Sequence, residues 1–138
     1  MSLRKILLLA AIAVHGAWAS AAPACPTPGE VSHQHLYGVW RVEFEQGATA
    51  SLRFEKHAAF AQSVSGEIQR GTARAQVAGD VDEGVFHLEE SVDGTTIAAT
   101  WTGQVVENSC GKEIKGTWNN QVDGTRRAFV LRKPPGWQ

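Results

Sequence analysis

The sequence predicts an all-β fold, an eight-stranded antiparallel up-and-down meander barrel with one disulfide, and three observations carry that prediction. Apolar and polar residues alternate with a period of two from Leu36 onward, seven turn signals cut that alternation into eight runs, and two cysteines stand where such a meander brings them to one end.

The chain opens with Arg4 and Lys5 before an apolar run from Ile6 to Val14. That run falls short of the roughly 20 residues a membrane span needs. Small residues follow and offer cleavage after Ala19 or after Ala21, the pattern of a secretory signal occupying 1–21. The mature chain is therefore expected in the periplasm or secreted. Residues 22–35 contain Pro23, Pro26 and Pro28 and read as an extended leader that cannot enter a sheet interior. A single barrel domain is expected over 36–133, with a tail at 134–138; the length left after the signal suits one modest core.

The runs can be followed along the chain. Trp40, Val42 and Phe44 share one face of the first, with Arg41, Glu43 and Glu45 on the other. The alternation recurs at Leu52 and Phe54, Val64 and Ile68, Ala75 and Val77, Phe86 and Leu88, then Ile97, Ala99 and Trp101. It ends at Ile114, Gly116 and Trp118, followed by Phe129 and Leu131. Between the runs lie turn signals such as Asp82-Glu83-Gly84, Asp93-Gly94 and Asp123-Gly124, whose residues tolerate the positive φ of tight hairpins. Closing eight sequential strands into a barrel removes the exposed edges; a two-sheet sandwich is the alternative that the same pattern allows.

Cys25 and Cys110 are expected to pair, because an exported chain meets an oxidising compartment. In a meander the chain reverses at every turn, so alternate turns share an end. Cys110 sits in the sixth turn, which lies at the end where the leader enters, and the bridge therefore agrees with the topology. By the same parity Trp40, Phe54 and Phe86 fall at the disulfide end, Phe44 and Trp118 towards the opposite mouth, and Trp101 near mid-height. Eight strands leave room for packed side chains or for one small ligand, and Gly66, Gly79, Ala99, Gly103 and Gly116 add space if they face inward.

The segment Tyr37-Gly38-Val39-Trp40 resembles the Gly-x-Trp start of the first strand in the calycin superfamily, which holds lipocalins, avidins and small bacterial metalloprotease inhibitors. The resemblance implies a calycin-like barrel with a basic residue of the last strand over that tryptophan, here Arg132 over Trp40. Trp101-Thr102-Gly103-Gln104 and Gly116-Thr117-Trp118 are similar to the later strands of avidins. Where avidins place polar biotin ligands this chain has Val42 and Phe44, so the resemblance carries the fold and not that ligand.

The chain has 13 basic and 14 acidic residues, and loss of the signal removes Arg4 and Lys5. A mildly acidic mature chain argues against nucleic acid as a partner. His33-Gln34-His35 has the spacing of two metal ligands but lacks a third nearby, and His57 and His87 stand alone, so no metal site is expected. No nucleophile stands at a base-and-orienter spacing, so neither catalytic residues nor a cofactor are expected. Two binding roles remain. In the first, the barrel holds a small apolar ligand among Phe44, Trp101 and Trp118. In the second, the protein binds another exported protein, such as a hydrolase it inhibits, through its loops or through a leader that enters a cleft, as in the similar metalloprotease inhibitors. An empty interior of several hundred cubic ångströms favours the first, and a filled one the second.

Overall fold

A computed structural model of the chain describes residues 10–14, 16 and 25–136. Most of the expected signal segment, both candidate cleavage positions and Trp137 lie outside them. Among the described residues no helix is long and apolar enough to cross a membrane.

Eight strands form where eight runs were expected: β1 (Gly38–Phe44), β2 (Thr49–Lys56), β3 (Val64–Arg70), β4 (Ala73–Asp82), β5 (Val85–Ser91), β6 (Ala99–Val105), β7 (Glu113–Asn120) and β8 (Arg126–Arg132). Each pairs antiparallel with the next, and β8 returns to β1 to close the ring. The closing register runs from Arg41 opposite Arg132 to Phe44 opposite Phe129, and it excludes the sandwich. Turn chemistry follows the sequence: Glu83 and Gly84, at φ 49° and 78°, make the two-residue β4–β5 turn.

Alternation fixes which residues face inward, and the inward rows fill the barrel. Trp40, Leu52, Ile68, Phe86, Trp101 and Ile114, from six different strands, are each 0% exposed. A side chain bordering a void wide enough for water registers exposed area, so these residues meet only other atoms. The glycines expected to leave space do something else. A Cβ on Gly66 would stand 1.7 Å from the Arg53 carbonyl oxygen, one on Gly79 2.0 Å from that of His87, and one on Gly116 2.0 Å from that of Thr102. They let neighbouring backbones approach as the sheet curls. Large residues stand across from them, Phe54 opposite Gly66, Leu88 opposite Gly79, and Phe129 opposite Gly116.

At the other end from the β1–β2 turn, the Cys25–Cys110 disulfide joins the leader to the β6–β7 loop, with Cα atoms 4.5 Å apart. The leader is not extended throughout. Pro28–Glu30 forms a 3₁₀ turn and α1 (His33–Leu36) a single helical turn. Pro28 begins the first with φ already set, and at the second the Ser32 amide N–H donates to His35 Nδ1 at 2.9 Å. These bends turn Val31 and Leu36 down onto the barrel end, where both are buried. Gly111 makes room for this: a Cβ there would lie 3.0 Å from Val31 Cγ2 and 3.4 Å from Pro26 Cγ. The leader from Cys25 onward is thus a plug for this end of the barrel.

Candidate functional site

Continuing each inward row towards the mouth opposite the disulfide brings together residues from β1, β3, β5, β6 and β7. After Phe86 and Leu88 the next inward position on β5 is Glu90, which is 4% exposed. After Val64, Gly66 and Ile68 the next on β3 is Arg70. Their side chains form a two-point ion pair, Nη1 to Oε2 at 2.8 Å and Nη2 to Oε1 at 2.9 Å. Such paired charge-assisted bonds are strong and fix the plane of both groups.

The Glu90 carboxylate is also the acceptor for two indoles. Trp101 Nε1 donates to Oε1 at 3.1 Å and Trp118 Nε1 donates to the same oxygen at 3.3 Å. Phe44 stands against both tryptophans, with ring centroids 5.6 Å from Trp101 and 6.0 Å from Trp118. The Arg70 guanidinium carbon lies 5.8 Å from the Phe44 ring and 5.7 Å from the Trp118 ring, the range of cation–π attraction. A second guanidinium, that of Arg127, lies 6.0 Å from Trp118. Small inward residues on the even strands, Ala50, Ala75 and Ala99, accompany these large ones.

The three residues expected to line a ligand, Phe44, Trp101 and Trp118, therefore do meet. Trp101 is opposite Trp118 in the β6–β7 register and shares its acceptor, so it belongs to the mouth rather than to mid-height. Arg70 and Glu90 were missed, although the period-two alternation that selected Phe86, Leu88 and Ile68 runs straight on to them.

The pairing of Trp40 with Arg132 needs correction. Phe129 and Leu131 face inward, so Arg132 faces outward, where it meets Glu43 at 3.1 Å and Glu113 at 3.5 Å. Lys133 is the next inward position. Its Nζ lies 5.9 Å from the Trp40 ring and donates to the carbonyls of Tyr37 at 2.5 Å and His35 at 3.2 Å. Partial burial, with Lys112 nearby, pushes its pKa below that of an ordinary lysine. The Trp40 indole N–H donates to the Leu36 carbonyl at 2.8 Å, so this tryptophan ties the leader plug to the barrel.

The described histidines serve turns and the outer face. His35 caps α1, His33 stands edge-on to Tyr37 at 6.1 Å, and His57 Nδ1 accepts the amides of Ala59 and Phe60. His87 lines a surface groove of about 370 Å³ on the outside of β4–β6, beneath the β2–β3 loop.

Around the mouth, two loops are joined: the Gln121 amide N–H donates to the Ala98 carbonyl at 2.8 Å. Ile97 and Val122, the neighbours of those residues, are exposed, as is Val92, at 43%, 85% and 72%. The loop carrying Val92 and Ile97 is organised by Asp93, whose Oδ1 accepts the amides of Thr95 and Thr96 at 2.8 Å and the Ser91 hydroxyl at 3.0 Å. The amide of Thr96, then that of Thr95, then the Ser91 hydroxyl hold its pKa well below the ordinary aspartate value. A carboxylate with a depressed folded pKa contributes order that is complete above its unfolded pKa and is lost as pH falls through the folded one. Protection of the Thr95 and Thr96 amides is thus expected to persist below pH ~3.9, the ordinary aspartate value. Asp93→Ala should raise exchange of those two amides about ten-fold at neutral pH, measured by hydrogen exchange.

No family model and no curated protein matches this chain. Among solved structures it is similar to a redesigned β-barrel, b11L5F_LGL, at 16% identity over 75% of this chain and 96% of that one, with a TM-score of 0.48. It is also similar to EF1p2_mFAP2b bound to DFHBI, at 14% identity over 78% and 99% of the two chains, TM-score 0.47. A third is the redesigned barrel mFAP0 bound to DFHBI, at 18% identity over 72% and 100%, TM-score 0.44. At such identities the likeness reaches no further than the form of a small barrel.

Proposed function

We propose that this chain is an exported binding protein, not an enzyme, and that its working surface is the mouth opposite the disulfide, where it grips a group presented by a partner protein. The filled interior carries this reading. With Trp40, Leu52, Ile68, Phe86 and Ile114 each 0% exposed, the barrel below the mouth is packed with its own side chains, which favours recognition at the surface.

Two features favour this end. It joins aromatic faces to a buried carboxylate, the composition of an interface anchor. Its linked loops present Val92, Ile97 and Val122 to solvent as an apolar rim. The leader, by contrast, is held from Cys25 by the disulfide and by the burial of Val31 and Leu36, which argues against its entering a partner's cleft. Export fits the Arg4-Lys5 start and apolar run, together with a disulfide that belongs in an oxidising compartment.

The test is capture from the host's exported protein fraction with the immobilised mature protein. A partner should be retained by the wild type and lost, by at least about ten-fold, with the double variant Val92→Asp, Val122→Asp, whose exposed sites leave folding intact. Equal retention by both proteins, or a partner lost only when the β2–β3 loop residue Phe60 is changed, would move the working surface elsewhere.

A further inference from the structure

We propose that Glu90, Trp101, Trp118 and Phe44 form a site for a guanidinium or alkylammonium group, and that Arg70 is its resident occupant, displaced when such a group arrives. This rests on reading the mouth as the working surface, and it names the chemistry recognised there.

The walls of the box and its occupant differ in how they are held. Glu90 is 4% exposed and oriented by two indole N–H donors on one oxygen, so its position is set whether or not a cation is present. Phe44, Trp101 and Trp118 come from paired strands of a closed barrel. Arg70, by contrast, is the last residue of β3 beside the two-residue turn Gly71-Thr72, and its side chain is 33% exposed. Rotation about the side-chain torsions of Arg70 carries its guanidinium into water while the strand stays paired.

Carboxylate floor and aromatic walls suit a planar or bulky organic cation better than a hydrated metal ion. They also make the exchange conditional. A buried carboxylate left without a cation is costly, so Arg70 leaves only when another cation replaces it, and neutral or anionic groups gain no entry. Arg127 beside Trp118 adds positive charge at the rim and raises the cost of a loosely held cation. The group can be a free small molecule or an arginine side chain on a partner, and both present the same chemistry to Glu90.

Ethylguanidinium titrated into wild type, Arg70→Ala and Arg70→Ala with Glu90→Gln tests this, with the indole N–H resonances of Trp101 and Trp118 followed by NMR. Arg70→Ala is expected to bind at least ten-fold tighter than wild type, and the added Glu90→Gln to abolish binding, while the Trp40 indole resonance stays unmoved. Arg70→Gln, which keeps most of the stem, replaces Arg70→Ala if the latter does not fold. No gain in affinity on removing Arg70, or binding that survives Glu90→Gln, would overturn the proposal. A blocked arginine dipeptide run in parallel separates the sources: tighter binding than ethylguanidinium assigns the group to a protein partner, and equal binding to a small molecule. Loss of partner capture by the Val92 and Val122 variants, with no effect of Arg70→Ala, would leave the mouth as the working surface and remove only the cation site.

Discussion

Glu90→Ala is expected to destabilise the barrel by about 3 kcal/mol and to lower Tm by roughly 10 °C or more, because one carboxylate satisfies three buried or half-buried donors. Its removal strands the indole N–H groups of Trp101 and Trp118 and takes from Arg70 its ion-pair partner. Glu90→Gln should cost less than Glu90→Ala, since an amide oxygen can still accept from the indoles while the charge pairing is lost. Replacing Arg70 and Glu90 together by methionine should cost less than the sum of the single changes, because neither charge is then left alone in the barrel. The indole donors stay orphaned in that variant, so it should not recover full stability. Urea unfolding of wild type, Arg70→Met, Glu90→Met and the double variant measures the cycle, and a loss under about 1 kcal/mol for Glu90→Ala in the same assay would mean that the cluster is a surface feature.

Cys25→Ser with Cys110→Ser should have the other large effect. The bridge closes 85 residues of sequence separation, and the chain-entropy model assigns about 4 to 5 kcal/mol to a loop of that length. The loss should be local before it is global. Without the bridge, Val31 and Pro26 rest on Gly111 by packing alone, and Leu36 is held by the Trp40 indole. Amide exchange is expected to accelerate first over 26–36, while the Trp101 and Trp118 indoles at the far mouth keep their protection. Oxidised and reduced proteins that melt within a few degrees of each other would show that the leader plug holds without its covalent link.

How much of this was legible in the sequence depended on the interaction involved. Period-two alternation and turn residues act over a few positions, so eight strands, their order and the inward rows could be read directly. Parity then converted two cysteines into a bridge at one end, and Phe44 and Trp118 into neighbours at the other. Where the reading falls short, the alternation itself still points inward at a charged residue. Alternation from Leu88 reaches Glu90, from Ile68 reaches Arg70, and from Leu131 reaches Lys133 rather than Arg132. Charge is tolerated at these inward positions because each finds a partner distant in sequence: Arg70 and Glu90 meet from β3 and β5, and Lys133 reaches the carbonyls of His35 and Tyr37. The filled interior was hidden for another reason, since whether Gly66 and Gly116 leave space or admit a neighbouring strand depends on sheet curvature. The fold of the leader depended on His35 Nδ1 accepting the Ser32 amide at a single turn, a signal too short to outweigh three prolines.

The proposed role requires a barrel packed below its mouth and a mouth that does the binding. Indole and methyl NMR spectra of the mature protein, recorded against both ethylguanidinium and a panel of apolar ligands, test it most directly. The expected result is movement of the Trp101 and Trp118 indole signals with the cation, and no movement of Trp40 or of the Leu52, Ile68 and Ile114 methyl groups with any apolar ligand. Shifts at those interior methyl groups, with the mouth indoles unchanged, would contradict it.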